Sequence, residues 1–339
     1  MTNYLHGMTG AGGAHLMGDK PGWLLLINEI GRDPANIHGV DFRPYADRGF
    51  WVISRLQNGW GSAGTIPLPA YYADYVKRAI NFVQASPGCH VWQWGNELNH
   101  PQERAEFKPI YPSEYARLYC EMWRRLHDLP GHEEDQLITA PIAPWNNQTA
   151  YPANPSGDWI VYFQDVLSHI TDEIGTKEGE TVDAIGLHAY THGVSPALIT
   201  SEQRMDPPFQ ERRFQFRTYQ DFMLAIPEAL RRVPVHILEI DQDEPWWDGQ
   251  NGWSPAAITE IGKGWNQTPG NQQIVSLVWF RWEGDRWHIA NKPRLQDDIR
   301  AAFALGYTWG QGPPVPSPSV TYRCPGCGRE MVVRVKEAG

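Results

Sequence analysis

The chain has 339 residues, a formal net charge of −10, and 16 Trp, 14 Tyr and 11 Phe. The acidic balance argues against a nucleic-acid or anionic-membrane partner, and no run of eighteen apolar residues is present to span a bilayer. The length suits one large α/β domain of about 250 to 300 residues with a small appendage.

Eight strand-like runs alternate with helical segments. The first covers residues 4–8 and carries His6; the second, 23–30, is apolar until Asn28 and Glu29. The connections before and after the second run have room only for short helices. The third run, 50–57, carries Arg55 near its end. Tyr72, Val76, Ile80 and Val83 then fall on one helical face. The fourth run, 90–97, opens after Cys89 and ends on Gly95-Asn96-Glu97. Ser113 stands where an N-cap is expected for a helix carrying Tyr115, Leu118, Tyr119, Met122 and Leu126. The fifth run, 136–144, ends before Trp145, and Trp159, Tyr162, Phe163, Val166, Leu167 and Ile170 form the next helical stripe. The sixth run, 183–190, ends in His188-Ala189-Tyr190, and the seventh, 235–241, contains Glu239. Ser254-Pro255 reads as a cap with proline at the first helical position. The eighth run, 276–282, holds Trp279 and Trp282, and a last helix begins at Arg294.

Continuous apolar runs suit parallel strands buried on both faces, and eight βα units predict a (β/α)8 TIM barrel. An open doubly wound sheet is the alternative, but no G-x-G-x-x-G follows the first strand. In a barrel the C-terminal strand ends form the site. Glu97 and Glu239 each close an apolar run, so they are the expected pair of carboxylates; two such groups, one protonated and one ionised, are the minimal machinery for cutting a glycosidic bond. Glu29 is a rival strand-end acid, and Asp241, Asp243 and Glu244 compete with Glu239 but lie further into the loop. Tryptophans in polar loops, at Asn58-Gly59-Trp60, Pro144-Trp145, Pro245-Trp246-Trp247 and Asp285-Arg286-Trp287, suit stacking on sugar rings. The long connection over 191–213 reads as a wall or lid of the cleft.

Gly95-Asn96-Glu97 after the fourth strand, Glu239 in Ile237-Leu238-Glu239-Ile240-Asp241, His188-Ala189-Tyr190 on the sixth strand and Val278-Trp279 on the eighth together resemble the clan of retaining (β/α)8 glycoside hydrolases, which includes cellulase-like enzymes. The resemblance covers residues 4–305; Leu98 stands where that clan usually has proline. It implies Glu97 as general acid and then base, with its pKa raised by burial among Trp92 and Trp94. It implies Glu239 as nucleophile, kept ionised by the Tyr190 hydroxyl and Arg55. Asn96 would bond the sugar 2-hydroxyl, His188 and His6 would line the sugar subsite, and Trp279, or else Trp282, would lie beneath the reacting ring. The expected reaction is double displacement with retention on a β-linked poly- or oligosaccharide, endo-acting, with no catalytic cofactor. Transglycosylation uses the same residues. A non-catalytic carbohydrate-binding barrel is the alternative from another class. A metal-dependent barrel hydrolase is disfavoured, because no H-x-H or H-E-x-x-H occurs.

These features divide the chain into a catalytic domain over 1–309, a Pro-rich linker over 310–320 and a tail over 321–339. The tail holds Cys324 and Cys327 in a C-P-x-C-G turn, half of a zinc ribbon, and supplies only two of the four ligands that a structural zinc needs. Zinc shared with a second copy, zinc completed by a partner's ligands and a vestigial knuckle all stay open, and association through the tail goes with the first two. Cys89 and Cys120 are expected to be buried thiols. No secretory signal is visible at the N-terminus, so the cytoplasm is expected, with export left open by a polysaccharide substrate.

Overall fold

A computed structural model describes residues 3–174, 182–310, 319–323 and 330–334, the last two stretches as backbone only. Its centre is a ring of eight parallel strands: β1 (His6–Thr9), β2 (Trp23–Glu29), β3 (Trp51–Gln57), β4 (Val91–Trp94), β5 (Gln136–Thr139), β6 (Ile185–Tyr190), β7 (Val235–Asp241) and β8 (Ile274–Trp279). Hydrogen bonds run in the order β5-β4-β3-β2-β1-β8-β7-β6. The ring closes between β5 and β6 through one parallel bridge, Ile138 to Ala184, with Thr139 N–H donating to the Ala184 carbonyl at 3.1 Å. The described parts of the chain form a (β/α)8 TIM barrel.

Seven helices are described: α1 (Arg43–Ala46), α2 (Tyr72–Gln84), α3 (Pro112–His127), α4 (Trp159–Ile174), α5 (Thr218–Ala225), α6 (Trp253–Thr259) and α7 (Pro293–Ala304). The β1–β2 connection holds only a 3-10 turn, Ala11–Met17, and the β2–β3 connection only the four residues of α1. Two expected caps move. Helix α3 starts at Pro112 with Tyr111 as N-cap, so Ser113 already lies inside the helix. Proline at the first position has no N–H to be capped, and Glu114 instead reaches back to Tyr111 N–H at 3.1 Å. Helix α6 starts at Trp253. Its free N–H groups are capped from α7, where Asp298 accepts from Gly252 at 2.6 Å and Ser254 at 2.8 Å. Ser254 is thereby released to face the Trp279 indole, 3.2 Å away.

The strands alternate strictly enough to sort residues by face. Trp23, Leu25, Ile53, Val91, Leu238 and Val278 are buried along the barrel axis. Their neighbours Leu24, Val52, Trp92, Ile237 and Trp279 point outward into the larger layer beneath the helices. Cys89 and Cys120 are both buried. Strands β9 (Ser319–Arg323) and β10 (Glu330–Arg334) form an antiparallel hairpin after the barrel. Cys324 and Cys327 lie outside the described residues.

Candidate active site

The inward rows continue up the strands and change chemistry at the C-terminal rim. On β3 the row Trp51, Ile53 continues to Arg55 and Gln57; on β4 the row from Val91 continues to Gln93. Register sets two of these polar residues side by side, Arg55 opposite Gln93. Strand β7 needs a correction to do the same. Leu238 faces the axis, so strict alternation would turn Glu239 outward. The ladder between β6 and β7 slips at Leu187/His188, where β7 advances two residues to one, and Glu239 pairs with His188. That bulge resets the parity, bringing Glu239 and Asp241 inward while Ile237 and Ile240 remain in the outer layer.

After β4 the chain turns sharply. Gly95 has φ 85°, in the left-handed region where a side chain is strained. Glu97 follows at φ 34°, an unusual conformation for a residue with a Cβ. The turn lifts Glu97 to the rim of the same cleft that Glu239 enters from β7.

The two carboxylates are joined by a compact network. Arg55 donates to Glu239 Oε1 at 2.5 Å, and Tyr190 O–H donates to Glu239 Oε2 at 2.9 Å. His188 Nδ1 lies 2.9 Å from Glu97 Oε1 and 3.0 Å from the Tyr190 oxygen. One ligand-type atom each from Glu97, His188 and Glu239 fall within 4.8 Å of one another. Arg55, His188 and Glu239 are buried; Arg55 is 1% exposed and Glu239 5%. Arg55 also donates to Gln93 Oε1 at 3.1 Å, and Gln93 Nε2 reaches Asn96 Oδ1 at 3.4 Å.

Two influences compete at Glu97. Burial raises its carboxyl, whereas the His188 hydrogen bond and the positive charges of His188, His100 and Arg55 lower it, and the lowering prevails, opposite to the rise expected from sequence. His188 Nε2 is buried without a hydrogen-bond partner among the described residues. Burial, reinforced by Glu239 and Glu97, pushes the Tyr190 hydroxyl well above its ordinary value, so it remains a donor. Asp241 is raised to about 8 by burial, Asp243 and Glu239.

Several residues expected at the site lie elsewhere. His6 is fully buried, stacked between Tyr4 and Phe303, with Nε2 on the Lys20 carbonyl at 2.8 Å. It points into the helical layer because β1 presents that face outward. Trp279 is also outward, edge-on to Phe303; the next residue, Phe280, lines the cleft. The Phe280–Arg281 peptide is cis. Trp282 packs flat on the β1–β2 loop, where a Cβ on Gly12 would meet its indole at 2.2 Å. Trp92 and Trp94 face the helical layer too, Trp94 stacked on Tyr75 at 4.5 Å, so neither surrounds Glu97. Aromatic cleft walls come instead from Trp60, Trp145 and Trp287, together with Phe280. Trp145 packs against His192 at 4.3 Å and donates to the Arg213 carbonyl at 2.9 Å, so both ends of the 191–213 connection brace the cleft. Gln93, Glu103 and Phe280 were not expected from sequence. Alternation along residues 91–94 could have found Gln93, and alternation along β8 could have found Phe280; Glu103 sits in an aperiodic loop.

No family model matches the chain, and no curated protein matches it. Solved structures do share its architecture. A family 44 xyloglucanase from Paenibacillus polymyxa superposes with a TM-score of 0.56 at 9% identity, covering 90% of this chain and 75% of that one. A family 44 endoglucanase from Clostridium thermocellum gives 0.54 at 11% identity, with 90% and 75% coverage. A family 26 endo-β-1,4-mannanase from Cellulomonas fimi gives 0.52 at 14% identity, with 94% and 77% coverage. At these identities the likeness is one of fold: this chain shares its (β/α)8 barrel with these enzymes.

Proposed function

We propose that the protein is a retaining glycoside hydrolase acting on a neutral β-linked glycan. The observation that carries this reading is the pairing of Glu97 and Glu239, with oxygens within 4.8 Å of each other at one cleft. Double displacement needs carboxyl groups about 5 to 5.5 Å apart, whereas an inverting pair must leave room for water at about 6.5 to 9.5 Å. The fold shared with a xyloglucanase, an endoglucanase and a mannanase supports the same class.

Glu239 is the nucleophile. Arg55 and Tyr190 hold its two oxygens and stabilise the carboxylate in a buried site. Its oxygen attacks the anomeric carbon as the bond to the leaving oxygen breaks. Glu97 gives its proton to that oxygen. His188 lies against Oε1, which leaves the other Glu97 oxygen to carry the proton toward the substrate. Glu97, now ionised, then takes a proton from water. The water oxygen attacks the same carbon and releases Glu239. Asn96 stands beside the pair to bond the sugar 2-hydroxyl, a contact that strengthens in the transition state.

The cleft lining supports a neutral sugar. Glu97, Glu103, Glu239, Asp241, Asp243 and Asp285 face it, against Arg55, Arg286 and His100, and Arg55 is already engaged by Glu239. With Arg55 taken, a uronate would find Arg286 as the remaining guanidinium among the described cleft-lining residues, whereas the carboxyl groups, charged or neutral, all bond sugar hydroxyls. Trp60 and Trp287 come from loops three strands apart around the ring, after β3 and β8. Trp145 follows β5, on the other arc of the ring between β4 and β7, and aromatic walls on both arcs suit a chain bound across the cleft, hence endo action.

A screen of neutral β-glycans and aryl β-glycosides with wild type, Glu97→Ala and Glu239→Ala, with and without azide, tests this. A β-glycosyl azide from Glu97→Ala and an α-glycosyl azide from Glu239→Ala are expected. Variants that keep the wild-type rate would remove both glutamates from the mechanism.

A further inference from the structure

The loop after β4 carries a third carboxyl, Glu103, into the cleft. The backbone around it is fixed. Arg104 is buried and donates to the Asn99 carbonyl at 2.5 Å and to the Thr149 hydroxyl. A parallel bridge joins Arg104 to Ile66, and Thr65 N–H donates to the Glu103 carbonyl at 2.8 Å. With its main chain held on both sides, Glu103 turns its side chain to Asn96, whose Nδ2 donates to Oε1 at 3.4 Å. Hydrogen bonds then run without a break from Glu103 to Asn96, Gln93, Arg55 and Glu239.

The groups around Glu103 leave a carboxylate there without a cation of its own. Glu97 and Glu239 act on it, and Arg55, the guanidinium that opposes them, is committed to Glu239 at 2.5 Å. His100 lies on the same loop, and Asp241, Asp243, Asp285 and Arg286 also line the cleft. Glu103 is partly buried, and a carboxylate drawn that far from water without a cation of its own is costly, which favours the protonated form.

We propose that Glu103 is a positioning residue of this site, which as a neutral carboxyl orients the Asn96 amide toward the bound sugar and anchors the hydrogen-bond chain that ends on Glu239. Its role in turnover rests on the glycosidase reading above; its link to Asn96 does not. Consistent with this, burial first, then the charges of Glu97 and Glu239, raise its pKa to about 8, against the opposing pull of Arg55. Below that value a neutral Glu103 leaves Asn96 available to the substrate. Above it, a carboxylate draws the amide to itself.

Two readouts test the proposal. With a turned-over substrate, Glu103→Ala lowers kcat about 30-fold with KM nearly constant, the loss of one transition-state hydrogen-bond arrangement. Glu103→Gln, a mimic of the neutral acid, recovers kcat to within about threefold of wild type and removes the fall in kcat near pH 8. Equal damage in both variants, or an unmoved alkaline limb in Glu103→Gln, overturns it. The second readout needs no substrate. In protein labelled with 15N-asparagine, the side-chain amide signal of Asn96 is identified by its absence in Asn96→Asp. The signal shifts with a midpoint near pH 8 in wild type and stays still in Glu103→Gln. A midpoint in the ordinary carboxylate range, or the same titration in Glu103→Gln, overturns the proposal. A wild type inert on every glycan would overturn the glycosidase reading alone, and the Asn96 titration would still decide the state of Glu103.

Discussion

At the foot of the barrel, Trp23, Leu25, Ile53, Val91, Leu238 and Val278 fill the axis with apolar volume. A few residues further along the same strands, Arg55, Gln93, Tyr190 and Glu239 meet at the mouth, with Glu97 just past the end of β4. The two ends share backbone, direction and alternation; only the side chains differ. The foot needs no specific geometry, only filled space, and each large side chain buried there contributes about 1.5 to 3 kcal/mol. The mouth buries a guanidinium and a carboxylate, whose desolvation opposes folding unless each keeps its partner. The arrangement therefore divides labour: the foot stabilises a ring that can hold charges in place at the mouth.

Substitutions at the two ends should separate these roles. The largest effect is expected from Glu239→Gln, which keeps shape and removes the nucleophile. Under the proposed mechanism kcat falls about 10⁴-fold or more, about 5.4 kcal/mol in the barrier, with far-UV circular dichroism unchanged. Residual activity within tenfold of wild type would place the chemistry elsewhere. Next comes Leu25→Ala at the foot. Denaturant unfolding should show a loss of about 2 to 5 kcal/mol from a cavity in the axis, while kcat at a temperature where the variant stays folded remains near wild type. A matching fall in kcat would show that the two ends are not separable. The smallest effect is expected at the rim. Trp60 is 40% exposed, and Trp60→Ala should raise KM for an oligosaccharide about five- to tenfold, the worth of one stacking contact. A change confined to kcat would move Trp60 from the binding wall to the reacting ring.

Much of this was legible in the chain because alternation and strand ends are periodic signals. Eight apolar runs gave the ring, and the polar residues at their ends gave Arg55, Glu97, His188, Tyr190 and Glu239, which the structure brings to one cleft. The errors share a physical cause. His6 and Trp279 were placed by their distance from the strand end, but one residue of parity decides which face a side chain takes. On β8 the axis-facing row runs from Val278 to Phe280, leaving Trp279 outside. Glu239 would fail the same parity test without the bulge at His188, and no residue type announces that bulge. Glu103 was illegible for a different reason. Its position depends on Arg104, Thr65 and Ile66, contacts between two loops that no local pattern encodes.

Proton NMR of the first sugar released, recorded before mutarotation, tests the central claim most directly. The spacing of Glu97 and Glu239 predicts that the β-linked substrate yields the β-anomer first, the signature of two displacements through a glycosyl-Glu239 ester. Initial release of the α-anomer would mean a single displacement by water, and would contradict the covalent role assigned to Glu239.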